Sequence, residues 1–255
     1  MLTATGLFDD CAGKRRQPLP PEMFIEEAAE LRPFVEVTEI NDPDQDITVY
    51  RPRHMLLAFT NKRPQRENDK IYLCVAAAFT GKDYIKVCGT HVVDGTLTEG
   101  YAAHMNGFAF IDAKQVIIRP SSDSIDAYLQ RAVDEGASFF QQILLVSDGK
   151  IVEDHPLPAH AYTELRYRRA LALKRHKPMI IESNDEITIS KFAQMLVHYG
   201  VSDALYLDMG NWSEGWMRNK SGETLTLGTP NSETEHQTNW LIFKENDQVS
   251  MPKRN

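Results

Sequence analysis

Short apolar runs closed by turn residues recur along nearly the whole chain, and only two stretches carry a helical stripe. Phe34-Val35-Glu36-Val37-Thr38-Glu39-Ile40 alternates apolar with polar at period two, the pattern of a half-buried strand. Asn41-Asp42-Pro43-Asp44 then turns the chain. The same reading places strands at 46–50, 55–60, 71–79, 84–88, 115–118, 143–147, 151–153, 169–173, 178–182, 203–207, 223–227 and 239–243, with the charged stretch 61–70 as an exposed loop. One helix is expected after Ser124, where Ile125, Tyr128, Leu129, Ala132 and Val133 fall on one face, Ser124 caps the start and Gly136 stops it. The other is expected over 190–199, with Phe192, Met195, Leu196 and Tyr199 inward and Gly200 as its stop. Strands outnumber helices and do not alternate with them, so the expected class is α+β, with mixed or antiparallel sheets, few helices and a single compact domain. Residues 1–70 read as an N-terminal extension with short strands packed on a main domain of 71–255, and the polar, proline-rich 11–22 reads as a loose arm.

Composition removes several function classes. A hydrophobic fraction of 42% is ample for a core, and a formal net charge of -8 argues against nucleic acid, which wants a basic face. No stretch approaches the ~18 apolar residues of a membrane span. The first residues lack the apolar core of a secretory signal, and the compartment stays open. Cys11, Cys74 and Cys88 form neither a CxxC nor an even framework, so buried thiols are expected, with a Cys74–Cys88 pairing left open. His155 and His160 lie five apart without a third ligand in register, so no metal or cofactor is implied, although an acidic loop leaves room for a cation such as calcium. No GxSxG, GxxxxGK[ST], HExxH or GxGxxG occurs, which lowers the serine-hydrolase, P-loop, zincin and dinucleotide readings. The oligomeric state has no signature.

Three segments concentrate the remaining chemistry. In Glu135-Gly136-Ala137-Ser138-Phe139-Phe140-Gln141-Gln142 a helix stops at a glycine that permits close backbone approach, and Phe139 or Phe140 could floor a flat ligand; a C-cap followed by core aromatics is the bland alternative. In Arg168-Arg169-Ala170-Leu171 two arginines lead into an apolar strand, alternation puts them on opposite faces, and a guanidinium there suits a carboxylate or phosphate; a solvated basic patch is the alternative. In Leu207-Asp208-Met209-Gly210-Asn211-Trp212-Ser213 a carboxylate stands where a buried strand opens into a loop. There it can transfer protons or bind a metal, with Asn211 and Ser213 as hydrogen-bonding groups and Trp212 and Trp216 as stacking platforms; an aspartate that caps a turn, with tryptophans that fill the core, is the alternative. Thr238-Asn239 opens a last strand buried on both faces, and His91 sits in a glycine-bounded turn.

In order and spacing these segments resemble the phosphodiester glycosidase domain family over roughly 71–244. Members show an Asn-Gly-Gly-x-Phe-Phe-like segment, an Asp-Gly-Lys-like turn, an Arg-Thr-Ala-like strand, a Leu-Asp-Gly-Gly-Gly-Ser-Ser-like loop and a closing strand that bears an asparagine. Here Glu135–Phe140, Asp148-Gly149-Lys150, Arg168–Leu171, Leu207–Ser213 and Thr238-Asn239 stand in those places. Glu135 replaces the family asparagine, Met209-Gly210-Asn211 the triple glycine, and Trp212 a small residue. The resemblance implies a hydrolase for a sugar-1-phosphodiester or related glycoside, with a sugar phosphate or glycan as its partner. Arg168 would hold the anion, Asp208 would be acid/base or nucleophile, and Glu135 would be the second carboxylate if the fold brings it near Asp208. Gly136, Phe139, Gln142, Arg169, Asn211, Ser213, Asn239 and His91 would line the site. The altered glycine loop and the tryptophans fit a rival reading, a non-catalytic carbohydrate- or cell-wall-binding module; a structural domain without a ligand is the third.

Overall fold

The computed structural model describes residues 32–210, 213–228 and 232–246. Pro33–Asn255 forms one compact unit. Among the described residues, three antiparallel sheets and three helices make a mainly β architecture. The first sheet runs β1 (Phe34–Asp42), β2 (Gln45–Arg53), β13 (Lys177–Ser183), β12 (Arg169–Lys174), β14 (Asp203–Tyr206), β10 (Leu144–Ser147) and β11 (Lys150–Ile151). The second runs β16 (Thr224–Leu227), β15 (Gly215–Arg218), β4 (Ile71–Ala76), β17 (Trp240–Glu245) and β3 (Met55–Thr60). The third runs β6 (Thr96–Thr98), β5 (His91–Val93), β9 (Ser138–Gln142), β7 (Gly107–Ile111) and β8 (Val116–Pro120). Parallel pairing occurs only as an isolated bridge between Cys88 and Tyr101 among the described residues, so the expected mixed sheets resolve to antiparallel ones.

Period-two alternation distributes the core. Phe59, Leu73, Val75, Ala109, Phe140, Leu144, Leu171, Leu205, Leu241 and Phe243 come from all three sheets into one apolar cluster, in which the Phe59 and Phe140 rings stack at 4.8 Å. On the other face of the first sheet, Ala170, Ala172 and Ala204 keep the surface low, and helix α3 (Ile189–His198) seats Phe192 and Leu196 there. Burying such a side chain is worth roughly 1.5–3 kcal/mol. Helix α1 (Ile125–Asp134) covers Phe108, Phe110 and Phe139 of the third sheet in the same way. A short helix α2 (Ala159–Thr163) lies between β11 and β12.

Both long helices end as their glycines predict. Gly136 and Gly200 take left-handed backbones (φ 68° and 83°). The following amides, of Ala137 and Val201, then return to the carbonyls of Ala132 and Leu196. Thr188 caps α3 by accepting from the Lys191 amide at 3.2 Å, whereas Ser124 sits at φ 52° and makes no side-chain cap. Two expected strands change. The 84–88 stretch is a loop touched by two isolated bridges, Thr80–Val87 and Cys88–Tyr101. The 71–79 strand leaves its ladder after Ala76 because side chains and a loop amide take over the next peptide groups: Asn239 binds both the N–H and the C=O of Ala78, and the Asp208 amide donates to Ala77 O. Cys74 and Cys88 are buried free thiols in separate clusters; Cys11 and the 11–22 arm lie outside the described residues.

At Gly107 the third sheet comes close against the first. A Cβ there would stand 2.7 Å from Leu144 Cβ and 2.8 Å from Leu205 Cδ2. Gly107→Ala is expected to cost about 1–3 kcal/mol by overpacking. In urea unfolding the midpoint should fall with an unchanged slope. An unchanged midpoint would mean that the sheets separate freely at this point.

Candidate functional site

The site is built where β14 ends. Leu207 N donates to Arg169 O at 2.9 Å and Asp208 N to Ala77 O at 2.9 Å, so the chain is pinned to two sheets as it leaves the strand. The Asp208 carboxylate is buried, 4% exposed, and accepts from Gly210 N through Oδ1 at 3.2 Å and from Thr80 N through Oδ2 at 3.4 Å. Burial pushes its pKa up to about 6; the two amides, then the Arg166 and Arg169 charges, hold it from rising further. The Cys88 thiol is pushed up to about 11, first by burial and then by the charges of Asp208 and Asp83.

The two arginines part as alternation predicts. Arg169 is wholly buried on the inner face of the first sheet. Its Nε donates to Glu182 Oε1, the residue directly opposite in the β12–β13 register, and its Nη2 donates to Ser213 O at 3.1 Å. Among the described residues Nη1 has no hydrogen-bond partner. Glu182 also accepts from Tyr50 Oη at 3.1 Å; burial first, and Glu182 next, push the Tyr50 phenol far up. Arg168 turns to the outer face and spends its donors on the fold: Nε to Ile187 O at 3.0 Å, Nη1 to Tyr206 Oη at 3.1 Å and Nη2 to Glu164 O at 2.5 Å. It clasps the segment before β12.

Tyr167, Glu182, Ser183, Met209 and Gly228 line a cleft of about 300 Å³. Asp208 precedes one of these wall residues, and Arg169 spans from Glu182 to Ser213, whose carbonyl lies against Gly228. Glu135 is elsewhere. It pairs with Arg131 at 2.9 Å beside a different hollow, which Gly136, Asp94 and Asp112 also line. Five-residue β9 separates that hollow from Gln142, roughly 13 Å at ~3.3 Å per residue. The fold therefore does not bring Glu135 to Asp208, and the carboxylate on the cleft is Glu182.

The other expected site residues divide by what they touch. Gln142 donates to Ala77 O at 3.5 Å and accepts from Ile143 N at 2.8 Å, while Asn239 accepts from Ala78 N at 2.7 Å and donates to Ala78 O at 3.0 Å. Both fix the backbone under Asp208 instead of facing the cleft. Phe139 stacks on Phe108 at 5.2 Å inside the core, and Gly136 serves as a helix stop. His91 is buried edge-on to Phe59 at 6.2 Å, with Nδ1 3.4 Å from Gly89 O, and burial lowers its pKa. Ser213 acts through its carbonyl; Asn211 and Trp212 lie outside the described residues. Sequence reasoning missed Glu182, Tyr50, Thr80 and Tyr167. Only Glu182 left a signal, a lone charge at the polar end of the apolar run Met179-Ile180-Ile181. Among the described residues no cluster of three or more His, Cys, Asp or Glu could hold a metal, and no helix is long and apolar enough to cross a membrane.

No family model matches the sequence, and no curated protein matches it. Solved structures share the fold. The zebrafish N-acetylglucosamine-1-phosphodiester alpha-N-acetylglucosaminidase catalytic domain, auto-inhibited by its pro-peptide, superposes with a TM-score of 0.56 at 10% identity over 84% of this chain and 83% of that one. A hypothetical protein from Synechocystis superposes with a TM-score of 0.50 at 12% identity over 83% of this chain and 62% of that one. At these identities the likeness is one of fold.

The raised Asp208 pKa has a sign. The folded chain holds a proton that the unfolded chain, near 3.8, has released, so stability falls as the pH rises from about 4 to about 6, by on the order of 3 kcal/mol. Urea unfolding at a series of pH values should show the wild type losing that much relative to Asp208→Asn across the window. Parallel curves for the two proteins would place the Asp208 pKa at its ordinary value.

Proposed function

We propose that the chain is a glycosidase-like hydrolase that cleaves a sugar-1-phosphodiester or a related glycoside. The observation that carries the reading is a buried carboxylate, Asp208, at a strand end with a pKa near neutrality, within electrostatic reach of Arg166 and Arg169 and next to a cleft. A carboxyl group that holds its proton near pH 6 is suited to general acid work. In the proposed reaction the bond from the sugar C1 to the ester oxygen breaks, the proton of Asp208 goes to that oxygen, and water supplies the hydroxyl that forms the new bond to C1, its other proton passing to the Glu182 carboxylate and then to solvent, from which Asp208 is reprotonated. Glu182 is the second carboxylate, and Arg169, with one nitrogen unpartnered, meets the developing negative charge. Arg168 acts from behind by fixing Tyr206 and the chain before β12. The shared fold with the zebrafish N-acetylglucosamine-1-phosphodiester alpha-N-acetylglucosaminidase catalytic domain supports this substrate class.

A second reading, a carbohydrate-binding module without turnover, draws on the complete burial of Arg169 and its engagement with Glu182. The assay that separates the two uses UDP-N-acetylglucosamine and a panel of sugar-1-phosphodiesters. Wild type should release the sugar, and Asp208→Asn should lower turnover by roughly 10²–10⁴-fold. No turnover, with binding intact by calorimetry, would leave the binding module as the better reading.

A further inference from the structure

We infer that Tyr167 is a specificity residue, and that the cleft takes a ligand whose anionic group is joined to a planar, apolar group lying on the Tyr167 ring. The anionic half of this inference rests on the reading of Arg169 given above.

The segment before β12 is extended and paired along 183–187. Arg166 N donates to Ile187 O at 3.2 Å, Ile187 N to Arg166 O at 2.9 Å and Ser183 N to Arg168 O at 2.9 Å. Alternation then fixes the faces. Arg166 and Arg168 point outward, to Glu164 and Tyr206, while Tyr167 shares the face of Arg169 and stands with Glu182 at the cleft. Tyr167 is 47% exposed, and Leu165, one step further out in the same alternation, is 61% exposed. Within the described residues no hydrogen bond or ring contact engages Tyr167. Met209, a polarisable apolar residue, also lines the cleft, and Gly228 adds no side chain.

The cleft thus joins a polar wall of Glu182 and Ser183 to the Tyr167 ring, and the Arg169 guanidinium is paired to Glu182 behind that wall. An unpartnered half-exposed ring beside a polar wall is suited to stacking against a flat group whose other end is held by charge. A volume of about 300 Å³ sits at the small end of ligand sites and suits one ring plus its anion, not an oligosaccharide. For a sugar-1-phosphodiester this makes the ester group beyond the phosphate, aryl or base-bearing, the part that Tyr167 reads.

The test is calorimetric titration of the full chain with phenyl phosphate and with methyl phosphate, in wild type, Tyr167→Ala and Tyr167→Phe. Phenyl phosphate should bind wild type about tenfold more tightly than methyl phosphate, the size of one aromatic stacking contact. Tyr167→Ala should abolish that preference without weakening methyl phosphate, and Tyr167→Phe should keep it. Equal affinities in wild type, a preference that survives Tyr167→Ala, or no binding of either probe overturns the inference. The hydrolase reading is tested separately by turnover. An aryl preference without turnover sinks that reading and leaves this one standing, and turnover without an aryl preference does the reverse.

Discussion

A guanidinium with no access to water, at the start of the middle strand of the seven-stranded sheet, sets the terms for everything around it. Arg169 cannot lose its charge, and taking it out of water costs several kcal/mol unless its donors are met. The fold meets them with partners from distant parts of the chain: Glu182 from β13, directly opposite in register, and the Ser213 carbonyl from the loop after β14. Tyr50 of β2 then holds the far oxygen of Glu182. One side chain thereby ties together the ends of three neighbouring strands and a loop. Such a pair adds little net stability over an apolar substitute, but losing one partner leaves a stranded charge that costs about 3–5 kcal/mol. The one nitrogen left over is the feature that points from structure towards chemistry.

Around that pair, polar residues divide their work between backbone and cleft. β4 leaves its ladder after Ala76, and the peptide groups of Ala77 and Ala78 must still be satisfied in a dry interior. Asn239 and Gln142 supply what the ladder no longer does, and the Asp208 amide takes the Ala77 carbonyl. Two residues further along the departing chain, the Thr80 amide is aimed at the Asp208 carboxylate. Asp208 is thus both buried and hydrogen-bonded. The first raises its pKa and the second restrains the rise, and the balance falls near neutrality because burial is the larger effect.

The segments that drew attention in the sequence do lie close to one another, but in different capacities from those their residue types suggest. Arg168 and Arg169 have the same chemistry and adjacent positions. Alternation separates them to opposite faces, and what each meets there makes one a clasp on carbonyls and the other the partner of Glu182. Glu135 has the chemistry of a second carboxylate but sits at the wrong end of β9. Phe139 is a flat aromatic, and helix α1 covers it.

Local rules were enough for much of the fold. Periodicity located both long helices, the glycines that stop them, and most strands, because side-chain period and left-handed backbone are properties of a few consecutive residues. It missed β5, β6, β7, β9 and β15, where glycine, polar or doubly buried residues blur the alternation. The sequence by itself determined a sheet-rich chain with an acidic surface balance, two capped helices and an aspartate at the mouth of a strand. Only the tertiary structure decided that Glu182 stands opposite Arg169, that Thr80 reaches Asp208 and that Tyr167 faces the cleft. Those pairings join residues 13 and 128 positions apart, or depend on which face of a sheet looks inward. Register and sheet order, which no short window of sequence encodes, settle such matters.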